Sequence, residues 1–415
     1  MIIDESRLQD DIETTAAFGT TDAPDGHGRT VLPGTPANQE ARDYLVSRME
    51  ATGLDVRIDA VGNIAGRWVP DAADADAAPV ATGSHLDSVP NGGIFDGPLG
   101  VYAALEAVRA LESSNERIRR PIEVVSFTGE EGSRFPPLLG SSVAVGTRDV
   151  SDALAATDAD GVTLREALEG IGYAGDGVLD ASSWDSWFEL HIEQGRVLEH
   201  EGVSAGVVSA ITGIMHGDVR IDGEANHAGT TAMLERQDAL AAAAEFILDV
   251  ERAADDRLAD SESVVGTVGR VDVAPNATNV VPGTVEMGVD VRDVERDMMD
   301  AVEADIRDSL DRIATDRDVE TRFEKGVDID PVPMDERCRD ALRDGAAAAG
   351  IDALELSSGA GHDTMHVASV TDAGLLFVPS RGGISHNPAE WTDWQDCAKA
   401  TEVLAQTISR IASDG

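Results

Sequence analysis

Apolar, strand-like runs in this chain end one after another in short polar loops rich in glycine. The run "APVATGS" leads straight into "HLDSVPNGGIFDGPLG", His85 to Gly100, where a histidine and two aspartates lie among four glycines. "RPIEVVSFTGEEGS" ends in the adjacent carboxylates Glu130 and Glu131, "WFELHIEQG" ends in His191, Glu193 and Gln194, and "VPSRGGISHNPAEW" carries His386. Helical periodicity separates these strands, as in "NQEARDYLVSRMEATG", "GVYAALEAVRALESS" and "DERCRDALRDGAAAAG". The pattern predicts an α/β fold with a mixed, mostly parallel sheet and ligands at its carboxyl edge. A solvated turn explains one such loop; it does not explain four.

Around Ile211 the character changes. "HGDVRIDGEANHAG" alternates like an antiparallel strand, "ERQDALAAAAEFILDVERAADD" is a long helix, and two or three strands and another helix follow. The order strand–helix–strand–strand–helix–strand predicts an inserted α+β domain of ferredoxin-like type over 211–328. Residues 1–210 and 329–415 then form one discontinuous α/β domain, as expected for a 415-residue chain too long for one core.

The formal charge of -46 is spread along the chain, and lysine occurs only at Lys325 and Lys399. A dispersed acidic surface of this kind predicts a protein adapted to high internal salt, where screening weakens self-repulsion. It argues against a nucleic-acid partner, whose phosphates would be repelled. The N-terminus "MIIDESRLQDD" is acidic where a secretory signal is basic and apolar, and no run is long enough to cross a bilayer. A cytoplasmic protein without a membrane partner is expected. Cys338 and Cys397 lack metal-type spacing and are read as buried free thiols.

Histidine beside carboxylates in glycine-softened loops suggests a metal ion. Asp87 lies two residues after His85, on the same strand face, where it can reach the back of the imidazole and fix its tautomer. Asp96 precedes a helix, where a carboxylate could bridge two cations. Glu130 and Glu131 are adjacent and cannot share a face, so one suits a metal and the other general-base work on water. His191 is a good ligand, with Glu193 as its rival or its support. Asp363 in "GAGHDTMH" reads equally as a helix N-cap or as a site residue beside His362. His366 is read as structural, and His27, His200 and His216 as solvated or packed.

The segments "GSHLDSVPNGGIFDGPLGV", "TGEEGSRF", "ELHIEQGRVLE", "NHAGTT", "PNATNVVPG" and "VPSRGGISHNPAEW" resemble, in order, the carbamoylase branch of the dinuclear metallopeptidase and aminoacylase superfamily. That branch holds N-carbamoyl-L-amino acid hydrolases, β-ureidopropionases and allantoate amidohydrolases. The resemblance implies two divalent metal ions per subunit, zinc first, with manganese, cobalt or nickel as alternatives. It implies that His85 and His191 bind one ion, that Glu131 and His386 bind the other, and that Asp96 bridges them. Glu130 becomes the general base and Asp87 the support of His85. The insert becomes a lid and dimerisation domain. In it, His227 of "NHAGTT" would steady the oxyanion from the partner subunit of a homodimer, while Asn279, Arg292 and Gln194 would hold the substrate carboxylate. Two departures stand out: "MHGDV" lacks an aromatic usual there, and "NHAGTTAML" has alanine where proline is frequent.

The expected activity is hydrolysis of the ureido C–N bond of an N-carbamoyl-L-amino acid or N-carbamoyl-β-alanine, giving amino acid, ammonia and carbon dioxide. Allantoate amidohydrolase is the alternative within the branch. A dipeptidase or aminoacylase, or a metal-binding scaffold without catalysis, stands further back, because "HIEQG", "SRGGISH" and an intact Glu130 point to the carbamoylases.

Overall fold

The computed structural model describes residues 1–23 and 26–413. In chain order the strands are β1 (Asp55–Ile58), β2 (Ile64–Trp68), β3 (Val80–His85), β4 (Ile122–Phe127), β5 (Ser186–Ile192), β6 (Ala205–Ile211), β7 (Gly213–Asp222) and β8 (Asn226–His227). They continue with β9 (Val265–Ala274), β10 (Val280–Val281), β11 (Thr284–Asp293), β12 (Glu320–Ile329), β13 (Val332–Pro333), β14 (Ala353–Ser358) and β15 (Ala373–Val378). Two compact units result. One holds Met1–Ser209, Met334–Leu356 and the chain from Gly361 onward; the other holds Ala210–Pro333 and Ser357–Ala360.

At the centre of the first unit β4, β3, β5 and β15 lie side by side and run parallel. Every residue of these strands is buried, which is why their sequences read as apolar runs rather than alternating ones. The margins are antiparallel: β2 pairs with β4, β1 with β2, and β6 with β15. The fold is therefore α/β with a mixed sheet, parallel where it matters for the site. Because the central strands share one direction, their carboxyl ends share one edge, and the polar loops seen in the sequence all leave from it.

Helices form where the sequence marks them. Thr35 caps the helix Pro36–Ala51 by accepting from the Asn38 amide, with proline at the first position. Asp335 caps the helix Glu336–Ala349, and Gly350, left-handed at φ 70°, ends it. The helix Pro98–Glu112 is apolar nearly all round and buried over almost its whole length. Close backbone approach sets two glycines: a Cβ on Gly83 would lie 1.8 Å from the Val125 carbonyl oxygen, and one on Gly100 2.4 Å from that of Leu190. Burial of Phe95, Phe127, Phe188 and Phe377 in this unit contributes about 1.5–3 kcal/mol each.

The second unit follows the order read from the sequence. β7, the helix Ala239–Asp255, β9, β11, the helix Arg296–Arg317 and β12 follow in chain order, and the four strands form an antiparallel sheet ordered β12-β7-β11-β9. Burial alternates along β7, so Met215, Val219 and Ile221 face a core shared with Phe246, Met287 and Ile306. The unit begins one residue before and ends five residues after the sequence boundaries of 211 and 328. The cause is β13, which pairs Val332 with Ile211 and Pro333 with Ala210. Ser357–Ala360 joins it because Ser358 O accepts from Thr212 N and Gly359 O from Arg292.

Cys338 and Cys397 are free and buried. Among the described residues no helix is long and apolar enough to cross a membrane.

Candidate metal centre

Three of the four carboxyl-edge loops of the first unit converge on Asp96, which enters from the turn before the helix Pro98–Glu112. Its Oδ1 lies 3.2 Å from His191 Nε2 and 3.5 Å from His85 Nε2. Its Oδ2 lies 3.6 Å from His386 Nε2, which in turn is 3.2 Å from Glu131 Oε2. One carboxylate therefore belongs to two ligand groups, His85–Asp96–His191 and Asp96–Glu131–His386.

The donor set fits divalent cations. Nitrogen and carboxylate donors about 2.0–2.2 Å from one tetrahedral ion lie about 3.3–3.6 Å from each other, close to the separations found. His85 Nε2 and Glu131 Oε1 are buried and make no hydrogen bond, a costly state that a cation would relieve. The imidazoles are already oriented for it. His85 Nδ1 faces the Asp87 main-chain oxygen at 3.2 Å, and His191 Nδ1 faces that of Ile192 at 3.0 Å. A proton on each Nδ1 leaves the Nε2 lone pair pointing inward. His386 and Gln194 hold left-handed backbone at φ 55° and 59°, a strain that rigid surroundings must sustain.

Four residues singled out in the sequence are engaged within the chain as follows. Asp87 supports His85 through its carbonyl, because its carboxylate is engaged elsewhere: it accepts from the Gly129, Glu130 and Glu131 amides at 3.2–3.3 Å, while Oδ1 stands 3.7 Å from His85 Nδ1. Gln194, read from sequence as a substrate residue, donates from its amide nitrogen to Asp96 Oδ2 (3.0 Å) and Ser385 Oγ (2.9 Å). Glu193 is neither ligand nor rival; its carboxylate accepts from Val197 N and Leu198 N at the start of a short helix. Asp363 does not cap its helix, since His362 occupies the cap position.

Sequence reasoning misses Ser385, which donates to Asp96 Oδ2 at 2.8 Å. It also misses Glu390, buried, whose Oε1 accepts from Phe95 N and Asp96 N. Both lie in the quoted His386 loop, so a polar residue beside a candidate ligand was the available signal. Glu189 is a third: it accepts from Ser84 and Thr364 behind the site. The His362 ring stands against His191 at 4.6 Å.

Electrostatics separates the two adjacent glutamates. Burial pushes the Glu130 carboxyl well above the ordinary glutamate value; His85 pulls against it, and Glu131, Asp363 and Asp96 add to the rise. Burial also pushes Asp96 up, but His191 and His85 outweigh it and hold its carboxylate well below the usual range. The hydrogen bond to Glu131 lifts His386 to about 9. In metal-free protein at pH 7 this ring therefore carries a proton that a cation must displace. Metal uptake will release protons, and apparent affinity will weaken as pH falls below about 9, by up to about tenfold per unit for one proton. Calorimetric titration in buffers of different ionisation enthalpy reads this directly; a heat independent of buffer would contradict it.

The second unit holds the other candidates. Val280 of β10 pairs with His227 of β8, and Ala228 N donates to Asn279 O at 3.0 Å, so His227 and Asn279 are neighbours on an exposed edge. Gly229 N donates to His227 Nδ1, which leaves the proton of the neutral ring on Nε2. Arg292 is paired within its strand: its fork meets Asp290 at 3.0–3.3 Å, and Asp290 also takes His216 Nε2 at 2.8 Å.

Residues 81–410 match Peptidase family M20/M25/M40, and the chain belongs to that family. It is a hydrolase of amide C–N bonds, and its histidine and carboxylate groups suit divalent metal ions. Within the family it is similar to the N-carbamoyl-L-amino-acid amidohydrolase of Paenarthrobacter aurescens, 38% identical over 98% of this chain and 97% of the relative. It is also similar to the allantoate amidohydrolase of Bacillus subtilis (strain 168), 35% identical over 98% of both chains. A crystal structure of an amidase of the hydantoinase/carbamoylase family from Burkholderia multivorans superposes with a TM-score of 0.94, at 37% identity, covering 100% of this chain and 99% of that one.

Proposed function

We propose that the chain hydrolyses the ureido C–N bond of N-carbamoyl-L-amino acids or N-carbamoyl-β-alanine, with two divalent ions, zinc first, at the centre on Asp96. The observation that carries this reading is the sharing of Asp96 between two ligand groups, with Glu130 Oε2 set 3.8 Å from His85 Nε2. His85 and His191 would hold one ion and Glu131 and His386 the other, with Asp96 offering an oxygen to each group. When bound, the ions supply Lewis-acid polarisation of the ureido carbonyl and of the attacking water.

Glu130 does the proton work. Its carboxylate takes a proton from the water and returns it to the departing amino-acid nitrogen as the bond from that nitrogen to the carbamoyl carbon breaks. The carbamate left behind decomposes to ammonia and carbon dioxide. His227, supplied by the second copy of a homodimer, donates its Nε2–H to the developing oxyanion, in keeping with the tautomer set by Gly229. Arg292, Asn279 and Gln194 anchor the carboxylate; an arginine fork suits that geometry, and a substrate would share it with Asp290. Asp87, Gln194 and Ser385 hold the ligand loops in place.

The similarity to an allantoate amidohydrolase supports a second reading, in which the same ligands act on a substrate with two ureido arms. Ammonia release in high salt, with zinc or manganese restored, separates the two. N-carbamoyl-L-amino acids, N-carbamoyl-β-alanine and allantoate are compared by kcat/KM. A preference for the carbamoyl amino acids is expected; a preference for allantoate keeps the ligands and replaces the substrate, and turnover of none removes the proposal.

A further inference from the structure

Arg29 is completely buried, yet among the described residues no carboxylate bonds to it. Its guanidinium donates only to main-chain oxygens: Nε to Gly93 at 3.1 Å, Nη2 to Leu86 at 3.1 Å and to Asp87 at 3.4 Å. Nη1 is buried without a hydrogen-bond partner. Glu390, Asp96 and Asp87 oppose its charge only at longer range. Burying a guanidinium in this way is expensive, and a core position needing only volume would carry an apolar side chain.

The carbonyls it holds belong to the loop of the metal centre. Leu86 and Asp87 follow His85 directly, and Gly93 lies three residues before Asp96. The Asp87 oxygen that takes Arg29 Nη2 is the same atom that faces His85 Nδ1. A continuous path therefore runs from the guanidinium, through one peptide oxygen, to the ring whose Nε2 faces Asp96. The backbone reinforces it: Arg29 and Gly92 exchange amide–carbonyl bonds at 3.0 and 2.9 Å, and Ser88 N donates to Val31 O at 3.0 Å.

We propose that Arg29 is a positioning residue of the metal centre, holding the His85–Asp96 loop in its ligand geometry before any metal arrives. The inference rests on the metal reading given above. Its chemistry is specific to arginine: a planar fork spans three carbonyls, whereas a lysine keeps the charge but presents one compact ammonium. Arg29→Lys thus separates bond geometry from charge.

The test is zinc binding by the full-length, metal-stripped protein against a coloured chelator, with circular dichroism to verify the fold. Arg29→Lys is expected to weaken zinc binding about 10–100-fold, the range for losing the groups that orient ligands. Unchanged zinc Kd in Arg29→Lys, even with a lower Tm, makes the residue merely structural and overturns the proposal. Hydrogen exchange of the unaltered metal-stripped protein tests it without a variant. The amides of Ser88 and Gly92 should stay protected; exchange at the rate of an open loop would overturn it. Failure of the unaltered protein to bind zinc removes the metal reading and this inference together.

Discussion

Replacing Glu130 by glutamine lowers turnover of an N-carbamoyl amino acid by about 10²–10⁴-fold, the usual contribution of a positioned general base, and leaves the metal content unchanged. The two halves of that result come from different atoms. Glu130 is raised well above the ordinary carboxylate range chiefly by burial, with Glu131, Asp363 and Asp96 adding to the rise and His85 opposing it. A group so placed holds a proton more readily than an ordinary glutamate, as a base that must also return it should. Glutamine keeps the shape and loses that capacity. Meanwhile His85, Asp96, His191, Glu131 and His386 are untouched, so bound metal should persist. Kinetics together with metal analysis check both halves. A variant with full turnover would dismiss Glu130 as base, and one that lost its metal would make it a ligand.

Asp96→Ala should do more, removing both metal and turnover. Losing a group that merely orients a ligand costs about 10–100-fold in metal affinity, and Asp96 is shared by both ligand groups. Its removal also takes away the acceptor shared by Gln194 Nε2 and Ser385 Oγ, leaving the His386 loop tied to the centre by His386–Glu131, Gln194–Ser385 and Glu390. Bound zinc per chain should fall to a small fraction of the unaltered protein's, and ammonia release should fall to background. Retention of full metal content would show that Asp96 is not the shared ligand.

Much of this was legible because the fold writes its logic into short segments. Buried parallel strands leave apolar runs, and the loops at their carboxyl ends must be both flexible and polar. His85, Asp96, Glu130, Glu131, His191 and His386 stand out against such runs, and the structure brings all six to one edge. The antiparallel insert was legible in the same way, through the alternation of β7 and the helices Ala239–Asp255 and Arg296–Arg317.

What stayed hidden depends on contacts between distant segments. Nothing near Gln194 in sequence announces Ser385, 191 residues away, as its hydrogen-bond partner. Asp87 looks like a side-chain partner of His85, yet three amides across 42–44 residues take its carboxylate. Asp290, two residues from Arg292 on the same strand face, was the more visible case, since like-facing opposite charges attract. Arg29 gave no signal at all, because its partners are peptide oxygens, which every residue carries.

The most direct test of the central claim is product analysis on one N-carbamoyl-L-amino acid with metal-stripped and metal-restored protein side by side. The account predicts one ammonia and one free amino acid per substrate consumed when zinc or manganese is present, and none when it is removed. Equal turnover by the stripped protein, or substrate consumption without ammonia, would contradict it.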